Sequence, residues 1–125
     1  MGVLIISQGG GVTGTADQFG CTVDGGGGVV TTGSKGFFVI AYAGTISHWY
    51  LVGDQSGSIQ FDIKTGGTSI IGAGNKPILS GAQRANAAVS AWTTAAFSAN
   101  TEFEFNVDSA STLTRVNLII EVTKS

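Results

Sequence analysis

Apolar and polar residues alternate with a period of two in several short segments of the chain. In segment 59–63 the apolar residues are Ile59, Phe61 and Ile63, and segments 103–107 and 115–123 repeat the pattern. Successive side chains of a strand point to opposite faces of a sheet, so this alternation is typical of strands with one buried and one solvated face. The pattern predicts an all-β, antiparallel protein.

Segment 45–65 is predicted to lie at the centre of this structure. It divides into two strands of about 8 residues around Asp54-Gln55-Ser56-Gly57, a cluster of turn-forming residues. Trp49 and Leu51 are the predicted core residues of the first strand. The segment is therefore expected to form a β-hairpin.

Three further segments complete the prediction after this hairpin. Residues 66–77 are expected to form a long loop that Ile70 and Ile71 anchor in the core, with Pro77 at the entry to a strand. The Ala-rich segment 80–91 is compatible with a helix, but it has no wide apolar stripe, so a strand at 86–93 is favoured. Seven to eight short strands with these spacings predict a jelly-roll-like β-sandwich.

The N-terminal region contains several runs of glycine. Glycine loses more backbone entropy on ordering than any other residue, so such a segment seldom forms regular structure unaided. We expect residues 1–22 to form an extended arm and residues 23–125 to form the β-sandwich domain.

Segment 35–43 is apolar on both faces of its predicted strand. Phe38, Ile40 and Tyr42 would lie on one face, and Phe37, Val39 and Ala41 on the other. One explanation is a partner subunit that covers the second face, and the other is a central strand covered on both faces by its own chain.

Charge and cysteine content narrow the classes of partner. The 125 residues include eight acidic and six basic ones, with no cluster of Lys or Arg, which argues against nucleic acid. Cys21 is the only cysteine, so an intrachain disulfide and a thiolate metal site are excluded, and a small buried side chain is expected. Segment 2–6 is far shorter than the about 20 apolar residues that span a bilayer. It also lacks the features of a signal peptide, so we expect synthesis in the cytosol and no membrane contact.

The titratable residues do not form a recognisable catalytic pattern. His48 is the only histidine and is expected at a surface or interface, and Glu102 and Glu104 are expected on a solvated strand face. Asp24, Asp54 and Asp108 are expected to cap turns, since the acidic spacing of a calcium loop is missing. Tyr42, Trp49, Tyr50 and Trp92 would form a sugar-stacking platform only if they were exposed. We therefore expect no catalytic residue, no cofactor and no bound metal.

Five segments resemble a β-sandwich module of structural proteins from tailed bacteriophages. They are DGGGGVVTTGSKG, AGTISHWYLVGDQSGSIQFDI, KPILSG, AWTT and FNVDSASTLTRVNLIIEVTK, and together the resemblance covers about residues 23–124. It implies a structural or binding role in the virion, usually as a homotrimer, made in the cytoplasm of the bacterial host.

Within this class, a module without a long shaft and with an extra apolar face is similar to capsid decoration (cement) proteins. That likeness implies binding to the major capsid protein on the outer surface of the capsid. The candidate subunit or capsid interface comprises Val3, Leu4, Ile5, Ile6, Phe37, Val39 and Ala41. The alternatives are a receptor- or carbohydrate-binding module of a tail fibre and, third, a small glycoside hydrolase that uses Glu102 and Glu104.

Overall fold

The computed structural model describes the backbone of residues 2–7 and 14–125 and the side chains of residues 14–125. These residues form an all-β structure in which every paired strand is antiparallel to its neighbour. Within them, no helix is long and apolar enough to cross a membrane. The strands are β1 (Gly2–Ser7), β2 (Ala16–Asp24), β3 (Gly33–Val39), β4 (Gly44–Thr65), β5 (Thr68–Ser69), β6 (Ile78–Ala88), β7 (Ala96–Phe97), β8 (Glu102–Ser111) and β9 (Arg115–Lys124).

Strand β4 runs without interruption for 22 residues, so the predicted hairpin at residues 54–57 is wrong. The first half of β4 pairs with β9 and the second half with β8, whereas β6 pairs with both halves. The register of the β4–β6 pairing shifts between Val52 and Gly57, where β4 passes from one set of partners to the other. The residues that suggested a turn lie at this irregularity.

Tertiary contacts explain why this cluster of turn-forming residues does not form a turn. A Cβ atom on Gly53 would lie 2.5 Å from the Leu113 side chain, and one on Gly57 would lie 2.8 Å from it, so both glycines make room for Leu113. The Asp54 carboxylate accepts hydrogen bonds from the backbone N–H groups of Thr114 and Arg115, which lie in the β8–β9 connection and at the start of β9. Gly53, Asp54 and Gly57 therefore make contacts with the segment that joins β8 to β9.

The nine strands of the described residues belong to one sheet, which curls so that its inner face packs on itself. The path of hydrogen-bonded neighbours is β1-β2-β9-β4-β8-β3, and β5, β6 and β7 join it through β4. The Phe19 ring of β2 stacks on Phe38 of β3 at 5.1 Å and on Phe103 of β8 at 5.3 Å, across the interior. The all-β antiparallel prediction is confirmed, whereas the sandwich and jelly-roll arrangement is not.

The prediction that residues 1–22 form an extended arm is wrong for those of them that the structure describes in strands. Strand β1 pairs with β2, and β2 pairs with β9 along its whole length, so residues 16–22 belong to the sheet. A Cβ atom on Gly20 would lie 2.0 Å from the carbonyl oxygen of Leu118, so this glycine permits close backbone packing. Phe19 and Cys21 are buried on either side of it. Residues 1 and 8–13 lie outside the described residues.

The segment that follows the long loop is only partly as predicted. Ile70 and Ile71 are buried, and β6 begins directly after Pro77, as expected. The Ala-rich segment is a strand and not a helix, but β6 ends at Ala88, whereas a strand over 86–93 was expected. Val89 donates its backbone N–H to Ser47, and Trp92 is buried beyond the end of the strand.

We predict that the Phe19 ring stack makes a large contribution to the stability of the curled sheet. Phe19→Ala is expected to lower the free energy of unfolding by about 3–5 kcal/mol, because a fully buried aromatic ring is replaced by a cavity. Urea denaturation followed by tryptophan fluorescence measures this change. Val29→Ala, at an exposed position, is the control and should change it by less than about 0.5 kcal/mol. Equal effects of the two substitutions would contradict this account of the core.

Candidate functional site

An exposed apolar face on β3 is the strongest candidate for a binding site. Phe37 and Val39 are 55% and 53% exposed, whereas Phe38 between them packs on Phe19 in the interior. Ala41, two residues beyond the end of β3, is also exposed. Phe37, Val39 and Ala41 are called the Phe37 face below. The predicted division of segment 35–43 into two faces is confirmed, whereas its proposed role in an interface stays a prediction.

A β-bulge in β3 determines which phenylalanine faces the solvent. Ser34 is opposite Asn106 and Gly36 is opposite Phe105, so Lys35 is an extra residue in the ladder. If Lys35 instead paired with Phe105 in a regular ladder, Phe37 would lie opposite Phe103 and turn towards the core, since a slip of one residue exchanges the two faces of a strand. Gly36 has a φ of 151°, which residues with side chains rarely adopt. The bulge therefore places Phe37 and Val39 outside.

Lys35 is buried at the bulge, and its ammonium group forms hydrogen bonds with residues of the preceding loop. Its Nζ donates to the Thr31 hydroxyl at 2.9 Å and to the Thr32 carbonyl oxygen at 3.4 Å. Burial lowers the pKa of Lys35, because the charged form is poorly solvated there. The contacts tie the loop before β3 to the strand and stabilise the bulge.

Acidic residues border the Phe37 face on its β8 side. Phe37 is opposite Glu104 and Val39 is opposite Glu102, and Glu104 is in turn opposite Lys64 of β4. Both carboxylates lie on the outer face of β8, as predicted, and Glu102 is exposed. The face thus combines an apolar strip with a polar border, which is typical of protein interfaces.

The other predicted interface residues, Val3, Leu4, Ile5 and Ile6, lie on β1. This strand pairs with β2 in a register that places Val3 opposite Val23 and Ile6 opposite Gly20. The side chains of residues 3–6 lie outside the described part of the structure. Their contribution to an interface stays a prediction.

The aromatic residues do not form the sugar-stacking platform that their exposure would have permitted. Trp49 and Trp92 are only 4% and 8% exposed, and the Trp92 indole donates to the carbonyl oxygen of Asn75 at 2.9 Å. The Tyr42 hydroxyl donates to the buried Asp17 carboxylate, so it too is used within the fold. The centroids of the His48 and Tyr50 rings lie 4.7 Å apart, and the Nε2 atom of His48 lies 3.0 Å from the side-chain oxygen of Asn86.

Two of the predicted turn aspartates form specific tertiary contacts. Asp24 accepts from the backbone N–H of Gly26 at 2.8 Å and from Arg115 at 3.2 Å, and these bonds lower its pKa. The hydrogen bond from the Thr114 hydroxyl is the main cause of the lowered pKa of Asp54. In the described ranges, no group of three or more His, Cys, Asp and Glu residues could hold a metal ion.

Sequence reasoning missed an ionic cluster that holds the long loop against the sheet. Asp62 was expected to face solvent, but residues of loop 66–77 cover it, and the Ser69 hydroxyl donates to it at 2.7 Å. Lys76 lies 2.9 Å from the Asp108 carboxylate and 3.7 Å from that of Asp62. Gln60 and Asn106 donate to Asp108 as well. The spacing of these residues along the chain gave no signal of their contact.

Comparison with known proteins does not assign the chain to a family. It matches no protein-family model, and no curated protein is significantly similar to it.

We predict that Asp108 makes stability depend on pH in acid. Burial tends to raise its pKa, but hydrogen bonds from Lys76, Gln60 and Asn106 outweigh burial and lower it. Because its folded pKa lies below its unfolded pKa of about 3.9, Asp108 stabilises the fold above that value, and the stabilisation is lost as pH falls through the folded pKa.

Urea midpoints of the wild type and of Asp108→Asn at about pH 7, 4 and 2.5 test this expectation. The wild type should be more stable at neutral pH, and the difference should shrink in acid. Glu102→Gln, which removes an exposed carboxylate, is the control for the loss of one charge. A difference that stays constant across this range would show that Asp108 does not act through its charge.

We also predict that Cys21 is unreactive in the folded protein. It is buried on β2, and burial raises the pKa of its thiol to about 12, so little thiolate forms at neutral pH. A colorimetric disulfide reagent at about pH 8 should react within minutes in denaturant and far more slowly in its absence. Equally fast reaction in both conditions would contradict the burial of Cys21.

Proposed function

We propose that this chain is a non-enzymatic structural protein of a bacteriophage virion, most simply a decoration protein on the outer capsid surface. In this proposal the Phe37 face is the contact surface, and the chain associates as a homotrimer that binds the major capsid protein. The observation that carries the proposal is the exposure of Phe37 and Val39 beside each other on one end strand of the sheet path.

The composition of the Phe37 face supports a protein partner. Aromatic side chains surrounded by polar residues are common at the energetic centre of protein interfaces. Single exposed apolar residues are ordinary on a protein surface, whereas a continuous strip of exposed apolar residues is less common. A stable interface buries about 1,200–2,000 Å² in total, so the face would be the centre of a larger contact. Glu102 and Glu104 favour a partner surface with basic residues at its rim.

The resemblance to phage structural modules supports the virion assignment. The segments that carry it include the long central strand and the β8–β9 segment, and β4 pairs with both β8 and β9. We propose that the curled sheet, closed by the Phe19 stack, is a variant of the jelly-roll-like module that the resemblance implies. A rigid sheet of this kind suits a protein that stabilises neighbouring shell subunits.

The ionic contacts of the described residues support a structural role over an enzymatic one. Asp24, Asp54, Asp62 and Asp108 each accept hydrogen bonds that hold loops or strands. General acid–base catalysis needs titratable groups that converge at a cleft. Here Asp62 and Asp108 share Lys76 in one cluster that attaches a loop to the sheet, whereas Asp24 and Asp54 accept hydrogen bonds from residues at or near the start of β9.

We predict that the purified protein is a trimer and that this state depends on the Phe37 face. Multi-angle light scattering should give about 38 kDa, three times the chain mass of 12.6 kDa. The double variant Phe37→Ser, Val39→Ser should weaken association by at least about tenfold, because it removes the apolar anchors. Binding to capsids that lack the protein, measured by co-sedimentation, should fall in parallel.

Val29→Ser is the matched control, since Val29 is also exposed but lies in the loop before β3. It should leave both the trimer and capsid binding unchanged. Circular dichroism melting checks that each variant is folded. A folded double variant with unchanged mass and unchanged capsid binding would overturn the proposed role of the face, and a wild-type protein that does not bind capsids would overturn the decoration function.

A further inference from the structure

A groove distant in sequence from the Phe37 face has the chemistry of a binding site for an uncharged, hydroxylated ligand. It has a volume of about 390 Å³ and lies between the β4–β5 turn and the segment that contains β7. This volume falls within the range of about 300–1,000 Å³ that is typical of small-molecule sites.

Hydroxyl groups dominate the polar lining of the groove. Seven of its twelve lining residues are Ser or Thr, and none carries a charge. Thr65, Thr68 and Thr94 are exposed, and among the described residues their hydroxyl groups have no hydrogen-bond partner. Each hydroxyl is both a donor and an acceptor, so the lining matches a ligand that presents both kinds of group.

The remaining lining is apolar and partly aromatic. Phe97 is half-buried and packs edge-on against the buried Phe103 at 5.5 Å, and Ile70 is buried beside them. A charged ligand would lose hydration here without a compensating partner, whereas the C–H face of a sugar ring would pack on the accessible part of Phe97.

The two walls of the groove are connected to each other and to the sheet. The backbone N–H of Thr94 donates to the carbonyl oxygen of Ile70 at 2.9 Å, which joins one wall to the other. Ser69 donates to Asp62 of β4, and β7 pairs with the start of β4. The groove is therefore largely preformed, which lowers the entropic cost of binding.

We propose that this groove binds a neutral saccharide of one or two rings, through the free threonine hydroxyls and the Phe97 ring. The groove shares no residue with the Phe37 face, although Val39 lies opposite Glu102, which stands between the groove residues Thr101 and Phe103. A decoration protein with this groove would also present a sugar-binding site. Neither activity requires the other.

NMR titration of the full chain tests the proposal with glucose, galactose, mannose, N-acetylglucosamine, lactose and maltose as probes. Each sugar is added to about 20 mM, which would occupy most of a site with a Kd of about 1 mM. At least one neutral sugar should cause saturable shifts of the amides of Thr68, Thr94 and Phe97. Glucuronate and glucosamine should bind more weakly.

Two variants and their controls locate the site. Thr94→Trp fills the groove from an exposed position and should weaken binding by at least about tenfold. Ser80→Trp adds the same bulk on β6, outside the groove, and should leave binding unchanged. Phe97→Ala should also weaken binding, whereas Phe37→Ala should not.

The proposal is overturned if none of the neutral sugars shifts the groove amides, or if glycerol shifts them equally. Shifts that map to another surface, or binding that Thr94→Trp leaves unchanged in a folded protein, would overturn it as well. These outcomes are independent of trimer formation and capsid binding, so the sugar site and the proposed function are tested separately.

Discussion

The continuity of β4 through residues 53–57 is the constraint on which the rest of the sheet depends. Leu113 packs against Gly53 and Gly57, where a Cβ atom would come within 3 Å of it, so glycine at these positions lets β4 pass beside Leu113 as one strand. Because β4 stays extended, it aligns β9 with its first half and β8 with its second half. The sheet then curls, and rings from β2, β3 and β8 meet in its interior. A hairpin at this point would have separated these partners.

Charges are few in this protein, and several of them are used to attach irregular segments to the sheet. Lys76 joins loop 66–77 to Asp62 and Asp108, and buried Lys124 at the end of β9 lies 3.9 Å from the Asp17 carboxylate. The Lys124–Asp17 pair is buried, so removal of one partner would leave an uncompensated buried charge, whereas the contacts of Lys76 are partly exposed. Asp62 also accepts a hydrogen bond from Ser69, which lines the groove that we propose as a sugar site.

A single extra residue in β3 determines the candidate interface. The bulge at Lys35 turns Phe38 towards Phe19 and leaves Phe37 and Val39 outside, next to Glu104 and Glu102. Bulges reorient side chains in this way at many functional sites. The stability of the bulge, through the local hydrogen bonds of Lys35, is therefore linked to the surface through which we propose that the protein binds its partners.

The sequence by itself determined the all-β class, the alternation of 59–63, 103–107 and 115–123, and the two faces of segment 35–43, because these depend on neighbouring residues within one strand. It predicted an arm where β1 and β2 form and a hairpin where β4 continues. Only the tertiary structure decided these points. Gly20 fits against Leu118, Gly57 against Leu113 and Lys76 against Asp108, and each partner lies 32 or more residues away in the chain. Glycine and polar residues carry the same local signal for a turn and for a close tertiary contact, so only the folded structure distinguishes the two.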